Sequence, residues 1–319
     1  MRRAFIFYVV LIAVGICYGQ QNPQYTQYLQ NPFVINPALT GLEDYMDINA
    51  GFRNQWTGFE GAPRSYTISV NTPLMLLQGQ LPGRYDRHRT GLGLFAYTDE
   101  TGPISRSGFY GSFGYHLRMS DDWRVSFGTF IGATQFRFDE SQAFLVQNPN
   151  DVLVRNFSNF QFDTSIGVYF YSDYLFGGLS VNQLLDREIP FDITNNILEP
   201  TGKINRNFNF LAGTRFKINK DSEIVPSVLI KYVDPAPLQW EIGGKYVYDN
   251  RFWAGASYRN EESIYALVGF RFWEKVLLSY SYDYILNELQ AGQSGSHELI
   301  LGYRLDFGNK PCRCPRYSF

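Results

Sequence analysis

The feature of this sequence that most constrains its fold is a period-two alternation of apolar and polar residues, which recurs from about residue 45 to residue 308. In one segment Phe208 and Phe210 alternate with Asn207 and Asn209, and the pattern returns in the last segment around Leu301. Successive side chains of a β-strand point to opposite faces of a sheet, so the alternation predicts strands with one apolar and one polar face. Beyond the first residues, no apolar run approaches the roughly 18 residues that a membrane helix needs. The sequence therefore excludes a helical membrane protein.

The alternation divides into segments whose connections differ in length. Every second connection is usually a tight turn, such as 172–173, whereas 138–159, 185–205 and 286–295 are long. Short turns at one end and long loops at the other are typical of an outer-membrane barrel, although the connection 75–89 is long where a short turn is expected. We therefore expect an all-β fold, a single fourteen-stranded antiparallel transmembrane barrel. Its strands are predicted at 45–54, 66–74, 90–99, 105–118, 122–137, 160–172, 174–184, 206–219, 222–233, 237–249, 251–260, 263–273, 275–285 and 296–308.

Composition agrees with a barrel, but a soluble β-sandwich or propeller would show the same alternation. Charged residues are 18% of the chain and aromatic residues 17%. The predicted strands are longer than the five or six residues common in soluble sheets. Tyrosines such as Tyr246, Tyr248 and Tyr280 gather near strand ends, where barrels carry aromatic girdles. These features favour a barrel surrounded by outer-membrane lipid, with inward charges of mixed sign.

The N-terminus has the three parts of a secretory signal peptide. Arg2 and Arg3 precede an apolar stretch that is too short to span a bilayer, and small residues stand before a cut between Gly19 and Gln20. A lipoprotein signal with Cys17 as the lipidated residue fits less well, because Ile16 stands where a small residue is needed. We expect an exported protein of the outer membrane.

The whole chain divides into four parts. Residues 1–19 are the signal peptide, 20–44 a plug or periplasmic segment, 45–308 the barrel and 309–319 a periplasmic tail. The tail holds Cys312 and Cys314, for which two alternatives stay open: free thiols, or pairing with another chain.

The segment 20–44 does not alternate and is rich in Gln, Asn and Pro. A fourteen-stranded barrel leaves interior space that its own side chains do not fill. The amides of the segment suit a polar lumen, and its aromatic and aliphatic residues are too numerous for a disordered tail. We therefore predict a plug that begins at the periplasmic mouth of the barrel. The plug residues are predicted to include Gln27, Tyr28, Asn31, Pro32, Asn36, Pro37 and Gly41.

No pattern in the chain indicates catalysis or metal binding. The three histidines, His88, His116 and His297, are far apart and lack metal-ligand spacing. A formal net charge of −2 gives no basic field for nucleic acid. We expect no enzyme activity, no cofactor, no metal and no nucleic-acid partner.

Two stretches near the N-terminus resemble the PorP/SprF family. The first runs from Gln24-Tyr25-Thr26-Gln27-Tyr28 through Asn31-Pro32 and Asn36-Pro37-Ala38 to Gly41. The second joins Arg53-Asn54-Gln55-Trp56 to Gly58-Phe59-Glu60-Gly61-Ala62-Pro63. Members of this family are outer-membrane proteins of the type IX secretion system of Bacteroidetes-type bacteria. The tail with Cys312 and Cys314 departs from the family pattern.

The resemblance implies a non-enzymatic component of the type IX protein secretion and gliding machinery. Such a protein supports the export or surface attachment of adhesin-like cargo with C-terminal sorting domains, and it contacts periplasmic components of the machinery. The alternative is an outer-membrane channel for small hydrophobic or polar solutes. Candidate contacts with a partner in the second stretch are Arg53, Asn54, Gln55, Trp56, Gly58, Phe59, Gly61 and Pro63, although a strand end and a tight loop would account for the same residues.

Two long loops are the other predicted contact surface. Loop 138–159 carries Phe144 and Leu145, and loop 185–205 carries Phe191 and Ile193. Apolar side chains on outer loops mark either a partner site or a locally packed lid. Both alternatives stay open.

Overall fold

The computed structural model describes residues 23–80, 87–139, 141, 157–185, 187–192 and 198–306. Most of these residues form one continuous antiparallel sheet that closes on itself. No helix in the described part of the chain is long and apolar enough to cross a membrane. The strands are β1 (Met46–Asn54), β2 (Arg64–Pro73), β3 (His88–Thr101), β4 (Ile104–Arg118), β5 (Arg124–Phe138), β6 (Phe157–Tyr171), β7 (Leu175–Asn182), β8 (Arg187–Asp192), β9 (Leu198–Ile204), β10 (Asn207–Thr214), β11 (Phe216–Lys217), β12 (Ser222–Val233), β13 (Gln239–Tyr248), β14 (Phe252–Arg259), β15 (Ser263–Phe272), β16 (Val276–Ile285) and β17 (Ser296–Leu305).

The barrel has fourteen strands, because β10 and β11 act as one strand interrupted at Arg215. Both pair with β12, and β10 also pairs with β7 on its other side. The first and last strands pair along their whole length, from Met46 opposite Leu305 to Asn54 opposite His297. The sheet therefore has no open edge, and the predicted fourteen-stranded antiparallel barrel is confirmed.

The alternation in the sequence becomes the difference between the two faces of the wall. Along β15, Ile264, Val268 and Phe270 are exposed on the outside, whereas Tyr265 and Arg271 are buried inside. Large apolar side chains cover the outside of the other strands as well, and the buried inward positions are mostly Ser, Asn, Thr, Arg, Asp and Glu. An apolar outer surface and a polar interior are what a barrel needs in a membrane.

The two ends of the barrel differ. We call the end that carries the connections after β1, β3, β5, β7, β12, β14 and β16 the loop end, and the opposite end the turn end. The long connection at the turn end begins with the helix α1 (Leu74–Leu77). The predicted loop 185–205 contains a separate hairpin of β8 and β9, an element that the sequence analysis did not predict.

Several predicted features lie outside the described residues. These are the cleavage site at Gly19 and Gln20, the loop residues Phe144, Leu145 and Ile193, and the tail with Cys312 and Cys314. Of Phe191, the structure describes only its place in β8.

Residues 23–45, which we call the N-terminal segment, lie inside the barrel. Two short 3-10 turns, Pro32–Val34 and Pro37–Leu39, shape it, and each follows an Asn and begins with a Pro. Proline suits the first position of a helical turn, where its missing N–H is not needed. Ala38 and Thr40 have no exposed surface.

The N-terminal segment runs from the loop end to the turn end. Gln24 bonds to Glu262 in the connection between β14 and β15, at the loop end. Gly41 accepts a hydrogen bond from Arg89, two residues into β3 at the turn end. We expected the segment to begin at the periplasmic mouth, which in an outer-membrane barrel is the end with the short turns. This expectation is wrong, because the first described residues of the segment lie at the loop end. The segment descends through the lumen to the start of β1.

Candidate functional site: the lumen and the N-terminal segment

A buried ion network lines the lumen at the loop end. Arg53 donates from Nη2 to Asp283 Oδ2 at 2.9 Å and from Nη1 to Glu298 Oε2 at 3.1 Å. These side chains project inward from β1, β16 and β17 and are at most 5% exposed. Charges withdrawn from water in this way are tolerated because each has an opposite partner.

Arg259 extends the network around the wall. Its Nε lies 2.9 Å from Glu241 Oε2, and its Nη1 lies 3.2 Å from Glu262 Oε1 and 3.6 Å from Asp283 Oδ2. Tyr265 donates a hydrogen bond to the other oxygen of Glu241. Strands β13 to β17 and β1 are thus joined by one network of ion pairs and hydrogen bonds.

The N-terminal segment supplies hydrogen-bond donors to the same carboxylates. The Thr26 amide donates to Glu298 Oε2 at 2.7 Å, and the Thr26 hydroxyl donates to Asp283 Oδ2 at 2.7 Å. The Gln27 amide donates to Glu298 Oε1 at 3.2 Å. Bonds to an ionised acceptor are about twice as strong as neutral ones, so the network holds the segment as well as the wall.

The middle of the segment contacts opposite walls of the lumen. Tyr28 Oη lies 3.2 Å from Ser227 Oγ of β12, and Asn31 Nδ2 donates to Ser69 Oγ of β2 at 2.8 Å. The Phe33 ring forms a T-shaped pair with Phe130 on β5, with centroids 5.2 Å apart. Contacts on β2, β5 and β12 together mean that the segment bridges the lumen rather than lining one side of it.

Near the turn end the segment lies directly on a row of glycines in the wall. A Cβ at Gly91 or Gly114 would lie within 2.4 Å of the Thr40 carbonyl oxygen, and one at Gly128 would lie 2.2 Å from the Pro37 carbonyl oxygen. No side chain fits in such a gap, so these positions require glycine for close approach of two backbones. We call this set the glycine row; its members, each directly opposite the next on β3, β4, β5 and β6, are Gly91, Gly114, Gly128 and Gly167.

Polar side chains beside the glycine row bind the backbone of the segment. His116 Nε2 lies 2.8 Å from the Thr40 carbonyl oxygen and His116 Nδ1 lies 2.9 Å from Tyr171 Oη. Ser126 donates to the Ala38 carbonyl oxygen at 2.7 Å. Both ring nitrogens of His116, an inward-facing residue of β4, thus have a partner.

Arg89 fixes the end of the segment at the turn end. Its guanidinium donates to the carbonyl oxygens of Gly41, Leu42 and Glu43 and to the Asp44 carboxylate. Burial raises the pKa of the neighbouring Glu43 carboxyl to about 7; Arg304 opposes that rise, and Asp47 and Asp44 add to it. The segment is therefore anchored at both of its ends.

The residues predicted to contact a partner lie in two different environments. Arg53 and Gln55 are buried, so Arg53 serves the interior network and is not available to a partner in this structure. Gly58, Phe59 and Gly61 are exposed at the loop end, and Trp56 and Pro63 are half-buried beside them. The half-buried Asn54, at the end of β1, pairs with His297 and Arg64 in the sheet.

The loop 55–63 is pinned to its neighbours. The Thr57 amide donates to the Gly295 carbonyl oxygen at 2.8 Å, and the Gly102 amide donates to the Gly61 carbonyl oxygen at 2.9 Å. Gly58 and Gly61 both have positive φ, as expected for the turn conformations of a tight loop. The loop thus offers a fixed surface at the loop end.

Sequence reasoning missed several residues of the site. Arg259 and Glu298 are the most consequential, because they connect distant strands and the segment. The sequence shows that both residues are charged and stand at inward-facing positions, but this does not identify the residues that they bind. No group of His, Cys, Asp or Glu among the described residues is arranged to hold a metal ion.

One protein family matches most of the chain. The PorP/SprF family, described as type IX secretion system membrane proteins, matches residues 18–303. The chain belongs to the PorP/SprF family. No curated protein sequence matches it.

Solved structures similar to this PorP/SprF chain are outer-membrane barrels of very different sequence. A Pseudomonas aeruginosa FadL homologue is 10% identical with a TM-score of 0.52, covering 91% of this chain and 96% of its own. The Ralstonia pickettii toluene transporter TbuX is 10% identical with a TM-score of 0.51, covering 88% and 94%. The P. putida toluene transporter TodX is 10% identical with a TM-score of 0.50, covering 90% and 95%. At this identity the likeness establishes the barrel fold alone.

Together, fold and family indicate an outer-membrane protein with a closed antiparallel barrel. In such barrels the short turns face the periplasm and the longer loops face the exterior. The loop end of this PorP/SprF barrel is accordingly the outer end, and the turn end the periplasmic one.

Proposed function

We propose that this PorP/SprF barrel is a non-enzymatic docking component of the type IX machinery, and that its N-terminal segment is a plug. In this proposal, adhesin-like cargo binds at the loop end and periplasmic machinery binds at the turn end. The observation that carries the proposal is the anchoring of the segment at both ends of the lumen, by the ion network and by the glycine row. A barrel whose inward-facing residues bind its own N-terminal segment is suited to docking.

The cost of ordering the segment supports a plug rather than an incidental contact. Fixing a backbone costs about 1–2 kcal/mol for each residue, so a segment of this length stays ordered only if many contacts compensate. Leu29, Phe33 and Leu39 are buried, as are Gln27 and Asn36. A solute crossing the lumen would have to displace these contacts.

The docking surface for cargo is proposed at the loop end. Phe59 is exposed there on the pinned loop 55–63, and large apolar side chains on outer loops are typical of partner sites. The loops 138–159 and 185–205 add Phe144, Leu145, Phe191 and Ile193 by sequence. Shortening both loops should abolish surface display of cargo while the barrel still assembles. Normal display by such a variant would contradict this surface.

A channel for small hydrophobic or polar solutes is the second candidate. The observation in its favour is that the similar structures TbuX and TodX are described as toluene transporters. The lumen also keeps a cavity of about 70 Å³ beside Tyr25, Phe95 and Tyr110. This volume is well below the roughly 150 Å³ of a cavity that holds benzene, so transport would need the plug to move.

Planar-bilayer recording separates the two functions. The docking proposal predicts that the purified full-length protein gives no steady conductance and that cargo with a sorting domain co-purifies with it from cells. Steady, substrate-sensitive conductance without bound cargo would favour the channel and contradict the docking proposal.

A further inference from the structure

Strand β6 extends past the closed ring of the barrel at the loop end. Its ladder with β5 covers the whole strand, whereas its ladder with β7 begins only at Ile166. One further backbone bond joins the Leu184 amide to the Thr164 carbonyl oxygen at 2.9 Å. Beyond that bond, no described strand pairs with β6 on the side of β7. Residues 157–163 therefore belong to a strand that is paired on one side only, and we call the other side the unpaired side of β6.

The chain turns away from β6 directly after β7. Gln183 has a φ of 58°, a left-handed conformation that non-glycine residues adopt only rarely. The hairpin of β8 and β9 follows, and β8 lies near β6. However, β8 pairs with β9 alone, and the two form a separate two-stranded sheet. Within the described part of the chain, the hairpin thus leaves the unpaired side of β6 without a ladder.

The register shows which backbone groups lie on the unpaired side. The N–H and C=O of one residue in a strand point to the same side, and successive residues alternate. The Thr164 carbonyl points toward β7, so the N–H and C=O groups of Phe160 and Phe162 point to that side as well. These four groups have no hydrogen-bond partner among the described residues. Such a row of groups is a template for pairing with another chain.

The unpaired side of β6 can be reached from outside the cell. Arg137 and Ser158 stand opposite each other near the tips of β5 and β6, and both are exposed on the outer face of the wall. Polar residues on that face mark the end of the apolar band that contacts lipid. Next to them, Phe160 is 73% exposed and Phe162 is 51% exposed. A strand beside β6 would therefore meet an apolar outer face.

The inner face at the fork between β6 and β7 offers hydrogen-bond acceptors. The cavity of about 70 Å³ reaches this fork, where Asp163, Asn182 and Asn207 line it. The buried side-chain oxygens of Asn182 and Asn207 have no hydrogen-bond partner in the described part of the chain. Because an unpaired buried acceptor is costly, a side chain that enters here should bring a donor.

We propose that an extended segment of the secreted cargo adds to the unpaired side of β6 as a β-strand, antiparallel to β6 as β7 is. Main-chain hydrogen bonds to Phe160 and Phe162 hold the segment. Its outward residues are apolar, beside these two rings, and its inward residues carry N–H donors, as lysine does. The inference rests on the proposed docking of cargo at the loop end, and it specifies that the backbone of β6 makes the contact.

The first test follows amide hydrogen exchange of residues 157–163 in the full-length protein in detergent. The probe is a short synthetic peptide in which valine alternates with lysine. We expect the amides of Phe160 and Phe162 to exchange rapidly in the free protein and to become protected when the peptide is added.

Two N-methylated forms of the peptide provide a matched comparison. In an antiparallel pair with valine on the outer face, the valine N–H groups point toward β6 and the lysine N–H groups point away. The peptide N-methylated at its valines should therefore not protect the two amides, whereas the peptide N-methylated at its lysines should.

Phe160→Pro tests the same bonds from the side of the barrel. Proline is tolerated where the N–H of a strand has no partner, so the variant should assemble as the wild type does. We expect its affinity for the peptide to fall at least about tenfold, because a donor is lost and the ring obstructs the ladder. Phe160→Val keeps the N–H and an apolar outer face, so its affinity should stay within about threefold. Phe162→Pro replaces Phe160→Pro if that variant does not assemble.

Four results would overturn the proposal. Protection of the two amides in the free, dilute protein would mean that the hairpin of β8 and β9 closes the unpaired side. Protection that rises with protein concentration alone would identify a second copy of the chain as the occupant. The third result is absence of protection by the peptide, and the fourth is equal affinity in Phe160→Pro and Phe160→Val.

Co-purification of cargo from cells separates this inference from the docking proposal. We expect the wild type to retain cargo and Phe160→Pro to lose it. Equal retention by both would reject the backbone contact and leave docking at the loop end standing. Absence of cargo from the wild type would reject docking itself, and with it cargo as the occupant of β6.

Discussion

Gly128 of the barrel wall and Pro37 of the N-terminal segment touch backbone to backbone. A Cβ atom at Gly128 would lie 2.2 Å from the Pro37 carbonyl oxygen and 2.6 Å from the Ala38 amide nitrogen. Neither neighbour is the end of a flexible side chain, so nothing can move aside locally. The wall at Gly128 therefore fits closely against the backbone of the segment. One methyl group added at this position tests whether the close contact holds the segment in place.

We predict that Gly128→Ala loosens the segment. Overpacking of this kind typically costs about 1–3 kcal/mol, and here the segment can relieve the strain by leaving the wall. Protease cleavage of the segment and bilayer conductance should both increase. Gly111→Ala is the control, because a Cβ at Gly111 on β4 would lie 3.9 Å from its nearest neighbour, the Ile131 carbonyl oxygen. Equal protection of the segment in both variants would contradict the proposed fit.

We predict that Arg53→Met strongly destabilises the loop end of the barrel. The substitution leaves Asp283 and Glu298 buried without the cation that they share, and breaking a buried pair in this way costs about 3–5 kcal/mol. Urea unfolding in detergent measures the decrease in the free energy of unfolding. Arg64→Met serves as control, since Arg64 is exposed at the same end of the barrel. A loss as small as that of Arg64→Met would mean that the network does not hold this end together.

We predict that attachment of the segment weakens as the pH rises toward neutrality. Burial raises the pKa of Glu43 to about 7 from its ordinary value of 4.5. The folded state therefore binds more protons than the unfolded state between these values, so the contribution of Glu43 is fully present below about 4.5 and is lost as the pH rises through about 7. Protease protection of residues 23–45 across this range measures the effect.

Glu43→Gln is the matching variant for that experiment. It keeps the shape and hydrogen-bonding capacity of a protonated carboxyl and cannot ionise. Its protection should vary less with pH than that of the wild type. If the protease protection of Glu43→Gln changed with pH as steeply as that of the wild type, Glu43 would not be the cause of the pH dependence.

The sequence predicted the barrel well because strand patterning is a local property. Each apolar stripe, such as that of Ile264, Val268 and Phe270, is visible in ten consecutive residues, and the predicted strand bounds agree with the structure to within a few residues. The interruption at Arg215 and the hairpin of β8 and β9 were missed, because no periodicity marks either of them.

The contacts of the site could not be predicted in the same way, because they join residues far apart in the chain. Gln24 and Glu262 are separated by 238 positions, and the glycine row becomes a row only when four strands are in register. The direction of the N-terminal segment was missed for the same reason. Connection to β1 at the turn end suggests a segment that starts there, whereas its polar contacts hold its first described residues at the loop end.

The most direct test of the plug is the conductance of a barrel that lacks the N-terminal segment. Pro23–Gly41 is deleted with the signal peptide kept, and insertion of the variant into the outer membrane is verified. We predict that the full-length barrel gives no conductance in planar bilayers, that the barrel with the deletion conducts, and that cells carrying it become sensitive to large antibiotics. A variant that inserts normally and remains non-conducting would contradict the assignment of the segment as a plug.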